Sequence, residues 1–268
     1  MTEPRRVEAV VEGAAHDYGL DLEFRERSRP LFRFLFDNYW RVEVAGMENV
    51  PATGPAILVG NHSGGLPFDA TMLCYALSEN GPGRVARPLY DRFVENMGPI
   101  RDWYRKLGAV PARYAVADEL LERGECVVIF PEGVRGVAKL YSDRYALRAF
   151  ATSAARLAMR HRAPIVPFAV VGAEEIYPMI GRSSQLGKLL GAPYMPITPF
   201  FPLLGLAGLI PLPTKWTMAF GQRIYLFRES RFRGAGATDF EGMSERLRRT
   251  VQILLRRQVG RRSSIFLG

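Results

Sequence analysis

The sequence predicts an α/β domain with a mixed, mostly parallel sheet covered by helices on both faces. Three observations carry that expectation. Short, wholly apolar runs recur along the chain ("AILVGN", "CVVIF", "APIVPFAVVG"), each reading as a strand buried on both sides. Stretches of helical periodicity separate them, the alternation expected of a sheet with covered faces. Finally, 268 residues at 48% hydrophobic content bury a substantial core without disulfide staples.

Taken in order, "SRPLFRFLFDNYW" (28–40) places Leu31, Phe32, Leu35, Phe36, Tyr39 and Trp40 on one broad helical face, with Arg33 and Asp37 opposite. Such a face suits a membrane interface, and packing against the domain explains it equally well. "RVEVAG" alternates like a half-buried strand, and "AILVGN" follows as a buried one. Pro67 then opens a helix, "PFDATMLCYALSEN", which stops at the turn signal "NGPG". "ADELLERGE" reads as a helix ending at Gly124, before the strand "CVVIF" and the turn "PEG". A helix through "ALRAFATSAARLAMRHR" leads into "APIVPFAVVG", and "KWTMAFG" supplies a late strand. The greasy segment "PYMPITPFFPLLGLAGLIPLP" holds six prolines, too many for a helix interior, so it is read as irregular chain dipping into an interface. At the end, "SERLRRTVQILLRRQVGRRSS" spaces Leu247, Val251, Leu254 and Leu255 helically between arginine pairs. This basic amphipathic helix either packs its stripe on the domain or turns its arginines to lipid head groups. The expected division is an N-terminal membrane-facing segment (1–41), a central domain (42–240) and the basic helix and tail (241–268).

The net charge of +9 points to an anionic partner: nucleic acid, an anionic membrane surface or a phosphorylated substrate. Nucleic acid is set aside, because no recognition motif or basic groove interleaved with aromatics is visible. Cys74 and Cys126 lack ligand spacing, which argues against a disulfide framework or zinc site and fits a reducing compartment. The N-terminal stretch lacks the apolar core of a secretion signal, and no apolar run is long enough to span a bilayer as a helix. The expected location is cytoplasmic, peripheral on the inner face of the membrane.

In open α/β sheets chemistry gathers where strands end. Three strand exits carry suggestive residues: "GNHSGG", "PEGVRG" and "GAEE", of which the first two are the sharper. His62 follows a buried strand and precedes Ser63, Gly64 and Gly65, which allow close backbone approach to a ligand. His16 and His161 are expected to be solvated or capping, so three scattered histidines give a metal site little support. A general base near neutral pH needs an imidazole whose tautomer a partner fixes. Asp69 is that partner here, although a carboxylate in the first turn of a helix also answers to the helix dipole. Glu132 in "FPEG" either shapes a turn or meets a hydroxyl or cation. Arg135 and Arg113, the latter in "LGAVPAR", are candidate phosphate contacts.

The order "NHSGG....D", "GAVPAR", "FPEG" and "APIVPFAV" resembles the four blocks of the glycerolipid acyltransferases, the family that includes lysophosphatidic acid acyltransferases. The resemblance spans about Val42 to Gly172. It implies a glycerol-3-phosphate acyltransferase-like fold, His62 and Asp69 as catalytic residues, and Arg113 for acceptor phosphate. It further implies Glu132 and Gly133 for the acceptor, and Pro167 beside the acyl site. One departure is plain: the family's first block has four residues between histidine and aspartate, whereas Ser63 to Phe68 makes six. The chain therefore resembles a divergent branch. The expected reaction is transfer of a fatty acyl group from an acyl-CoA or acyl-carrier-protein thioester to a hydroxyl of a lysophospholipid or other glycerolipid. The altered block leaves open a neutral acceptor, diacylglycerol or a long-chain alcohol. Backbone amides at Ser63, Gly64 and Gly65 are the expected oxyanion donors, and "HSGG" is not the Gly-x-Ser-x-Gly elbow of serine hydrolases. No bound cofactor is expected. The rival reading is a non-catalytic protein that binds anionic lipid.

Overall fold

A computed structural model describes residues 17–63, 68–189, 194–229 and 239–268. Nine strands are named in chain order: β1 (Glu43–Ala45), β2 (Ala56–Gly60), β3 (Ala86–Tyr90), β4 (Val110–Pro111), β5 (Cys126–Ile129), β6 (Ile165–Val171), β7 (Gly181–Ser183), β8 (Met195–Ile197) and β9 (Thr217–Phe220). The helices are α1 (Leu22–Phe34), α2 (Phe68–Glu79), α3 (Gly98–Lys106), α4 (Tyr114–Glu122), the single turn α5 (Val134–Val137), α6 (Ser153–His161), α7 (Ser184–Leu189) and α8 (Phe240–Arg261). Seven strands form one sheet in the order β1-β9-β6-β2-β5-β3-β4, and β7 and β8 form a separate hairpin. Within the large sheet β6 and β9 run antiparallel, and every other neighbouring pair is parallel.

Because side chains alternate across a strand, each central strand feeds two cores. Ile57, Val59, Val127, Ile129, Ile165 and Ala169 face a layer that includes Leu120, Leu157 and Leu247 of α4, α6 and α8. Leu58, Val128, Val166, Phe168 and Val170 face the opposite layer, where Phe32, Phe36, Trp40, Met72 and Leu73 lie. Burial on both sides is why these strands read as unbroken apolar runs.

The structure decides between alternatives that the sequence leaves open and corrects others. Of the aromatic stripe, Phe32, Phe36 and Trp40 pack into the core and Trp40 stacks on Trp216 with centroids 4.4 Å apart, as the packing reading expects, while Leu31 stays exposed. α1 also begins earlier than the stripe suggests, capped by Asp21 accepting from the Phe24 amide, and passes into a π-helical turn at Leu35–Tyr39. At the other end, Leu247, Val251 and Leu255 of α8 pack on the domain, the expected alternative to a lipid-facing stripe, and Arg248 and Arg249 are engaged by Glu245. The segments expected to stand apart thus share the two cores of the central domain. The helix expected over 146–162 shrinks to α6. The reason is competition for its amides: Leu147 donates to Gln252, Arg148 to Glu132 and Ala151 to the Pro131 carbonyl. His161 is not solvated; its ring, mostly enclosed, pairs with Asp118 at 2.7 Å and ties α6 to α4. His16 lies outside the described residues.

β3 does not read as a strand in the sequence, because "ARPLY" carries an arginine and a proline. Arg87 is buried there and satisfied by Asp17, Glu125 and the Gly108 carbonyl. Among the described residues, no helix is long and apolar enough to cross a membrane.

Candidate active site

β2 delivers His62 to the carboxyl edge of the sheet. The preceding residue, Asn61, is fully buried and extends the β2–β6 pairing by one step with its side chain. Its Nδ2 donates to the Val170 carbonyl at 2.9 Å, and the Val170 amide donates to its Oδ1 at 2.8 Å. With Asn61 clamped, His62 leaves the sheet at a fixed point. Its Nδ1 lies 2.7 Å from Asp69 Oδ2, and its ring stacks on Phe130 at 4.1 Å between centroids.

Asp69 is buried in the first turn of α2, so the helix-start reading and the histidine-partner reading both hold. Its Oδ2 also accepts from the Ser63 amide at 2.7 Å, and its Oδ1 from the Ala70 amide at 2.7 Å. A carboxylate on Nδ1 selects the tautomer with hydrogen on that nitrogen and leaves Nε2 free. The six intervening residues do not prevent the convergence, because the Ser63 amide turns toward the same carboxylate. That donation removes the Ser63 amide from the expected oxyanion donors. Gly64 and Gly65 lie outside the described residues, as does Pro67.

His62 lines a cavity of about 1390 Å³. Its wall takes in one face of α2 (Ala70, Cys74, Ser78) with Phe32 and Tyr104, and beyond the histidine Ile129, Val134 and Leu157. Drug-sized ligands fill pockets of about 300–1,000 Å³. This space exceeds that range and is mostly apolar. Burial pushes the Cys74 thiol up to about 11.

The other motif residues divide between wall and support. Gly133 lines the cavity and turns the chain with φ of +58°, a conformation glycine adopts without strain. Arg113, at the start of α4, also lines it and is exposed. Glu132 is buried and does not line the cavity, its Oε2 accepting from the Arg148 amide at 2.6 Å. Its Oε1 has no hydrogen-bond partner and sits 3.6 Å from Lys139 Nζ. Burial pushes the Glu132 carboxyl above the ordinary range, against the pull of Lys139. Lys139 also pairs with Glu174, which accepts from Asn61 Nδ2 and from the Tyr145 amide. A buried chain from the "FPEG" turn through Lys139 and Glu174 therefore reaches the residue beside His62. Arg135 is exposed, donates to the Ala149 carbonyl and is not part of the wall. Pro167 lies inside β6, where a Cβ on Gly221 would meet its ring at 3.0 Å, and it too is off the wall.

Sequence reasoning missed Asn61, Phe130 and Lys139. "GAEE" is one of the three strand exits, and Glu174 is the residue that gives that signal its meaning. Among the described residues, no group of three His, Cys, Asp or Glu side chains is placed to hold a metal ion.

Residues 41–171 match the sequence pattern of the Acyltransferase family. An uncharacterized protein of Mycobacterium leprae is 41% identical over 259 residues, covering 94% of this chain and 70% of that one. Phytyl ester synthase 1, chloroplastic, of Arabidopsis thaliana is 30% identical over 155 residues, 54% of this chain and 21% of that protein. The crystal structure of the 1-acyl-sn-glycerophosphate (LPA) acyltransferase PlsC from Thermotoga maritima aligns with a TM-score of 0.52 at 21% identity. That alignment covers 91% of this chain and 80% of the other, and it is a likeness of fold.

Proposed function

This chain belongs to the Acyltransferase family, and we propose on that basis that it moves a fatty acyl group from a thioester to a lipid hydroxyl. The observation that carries the proposal is the His62–Asp69 pair, 2.7 Å apart, on the wall of a large apolar cavity. In this reading Nε2 of His62 takes the proton of the acceptor hydroxyl as its oxygen attacks the thioester carbonyl. The C–O bond forms, the C–S bond breaks, and the imidazolium returns the proton to the departing thiolate. Asp69 keeps the ring in its tautomer and balances its transient charge. General-base assistance of this kind contributes about 10²–10⁴ in rate. The Gly64 and Gly65 amides are the proposed oxyanion donors, Ser63 being committed to Asp69. The donor is an acyl-CoA or acyl-carrier-protein thioester, consumed as a co-substrate with no cofactor bound.

The acceptor is a lysophospholipid or other glycerolipid, with Arg113 at the cavity wall toward its phosphate. A second reading, a neutral acceptor such as diacylglycerol or a long-chain alcohol, draws support from the withdrawal of Glu132 and Arg135 from the wall. It also agrees with a relative named for phytyl ester synthesis. The test is release of free thiol from palmitoyl-CoA by the purified protein, with lysophosphatidate, diacylglycerol and phytol as separate acceptors. Acceptor-dependent release that disappears in His62→Ala is expected. No release with any acceptor, or full release by a folded His62→Ala protein, overturns the mechanism.

A further inference from the structure

Between Lys188 and Lys215 the chain contains no charged residue, in a protein of which 24% is charged. The described part of this segment holds the short β8 strand and a single 3₁₀ stretch at Gly205–Leu209, and it keeps several large apolar side chains in water. Leu203 is 82% exposed and Ile210 66%, with Leu204 and Phe200 also outward. The patch continues onto a neighbouring element: the Tyr39 hydroxyl donates to the Pro211 carbonyl, and Tyr39 packs against the exposed Phe34 of α1. Isolated exposed leucines are ordinary, but a contiguous set marks an interaction surface.

Two features identify the partner. The half-exposed Arg41 donates to the Tyr39, Pro213 and Phe266 carbonyls, and the exposed Arg182, on β7 opposite Pro196 of β8, donates to the Ala138 carbonyl. Neither has a carboxylate partner among the described residues, so an apolar tip is flanked by uncompensated cations. An anionic bilayer interface complements that pattern, whereas a second copy of this chain, also carrying +9, brings like charge against it. In addition, Thr198, Phe201 and Leu209 of the same segment form part of the cavity wall.

We propose that residues 199–211 dock this protein on an anionic lipid bilayer, with Leu203, Leu204 and Ile210 inserted among the acyl chains and Arg41 and Arg182 against the head groups. The cavity then receives its lipid directly from the bilayer, a consequence that rests on the acyl-transfer reading; the docking itself does not. The prolines keep the segment from forming a spanning helix, so it lies in the interface rather than across it.

The test is cosedimentation with phosphatidylcholine vesicles, with and without phosphatidylglycerol, for wild type, Leu203→Ser/Leu204→Ser, Arg41→Gln/Arg182→Gln and the control Ile253→Ser, exposed on α8. Circular dichroism checks the fold of each. The leucine pair should lower vesicle partitioning about tenfold or more at every salt concentration, the arginine pair mainly at low salt, and the control not at all. Wild-type protein left in the supernatant with anionic vesicles at low salt overturns the proposal. So does binding unaffected by the leucine pair, or a dimer that those substitutions dissolve without lipid being bound. Thiol release measured on the same samples separates the two readings: binding without release leaves docking standing and removes acyl transfer, and release with a micellar acceptor but no vesicle binding does the reverse.

Discussion

Phe130 lies flat against the His62 imidazole, the two rings 4.1 Å apart and 19° from parallel. With Asp69 on Nδ1, two contacts fix the ring in position and in rotation, and Nε2 is the nitrogen left to meet a substrate. The stacking ring is the last residue before the "PEG" turn, so the turn that holds Glu132 also holds the histidine.

Asp69→Asn is expected to lower thiol release about 10²–10⁴-fold, because a neutral amide no longer balances the imidazolium. Steady-state kinetics with the acceptor saturating make the measurement. A fall of less than about tenfold would mean that Asp69 serves α2 rather than the histidine.

Lys139→Met leaves Glu132 and Glu174 without their shared cation and is expected to cost about 3–5 kcal/mol of stability. Glu132→Gln is milder and has a pH signature. A carboxyl whose folded value is raised contributes stability that is full below its ordinary range and is lost as pH rises through the folded value. The substitution should therefore look more favourable, relative to wild type, at about pH 7 than at about pH 4.5. Urea midpoints of both proteins at both values decide it, and the opposite ordering would show that Lys139 outweighs burial.

Burial raises the Cys74 thiol to about 11 and Cys126 to about 12. In the native protein both should react with a thiol reagent at about pH 8 at least about 100-fold more slowly than in urea. The stability that depends on these neutral thiols is intact below their unfolded values and lost as pH rises through the folded ones. Cys126→Val should accordingly lose less stability than wild type on going from about pH 8 to about pH 10.5. Equal losses would locate the alkaline sensitivity elsewhere.

Arg113 and Arg135 should separate kinetically. Arg113→Gln, on the cavity wall, is expected to raise the KM of a phosphate-bearing substrate about 10- to 100-fold, whereas Arg135→Gln should leave kinetics unchanged. Comparing acyl-CoA with a phosphate-free thioester, and lysophosphatidate with diacylglycerol, tells which substrate carries that phosphate. Equal effects of the two variants would remove Arg113 from recognition.

Much of the sheet was legible because β2, β5 and β6 are buried on both faces, and nothing but apolar residues survives there. The His62–Asp69 pair was legible for a related reason: a histidine stands out at the end of a strand that is otherwise wholly apolar. What stayed hidden depends on distant partners. β3 carries Arg87, acceptable inside a sheet because Asp17 and Glu125 neutralise it. The amides of residues 147–151 look helical by composition and instead bind Gln252, Glu132 and Pro131. Periodicity likewise shows that α1 and α8 have an apolar side, while only the packed structure shows that this side faces inward.

Glu43 pairs with Thr217, and Trp40 stacks on Trp216, so one sheet edge joins strands made far apart in time. A ribosome adds about 5–20 residues per second, so the early partners wait on the order of ten seconds or more for the late ones. Through that interval Phe32, Phe36 and Trp40 have no finished core to enter, and chaperones that hold exposed aromatics have their opening. Stalled nascent chains ending before Trp216 should be cut by protease within residues 22–40, and chains extended well past Phe220 should resist. Equal cutting would mean that the early segment finds shelter before its late partners are made.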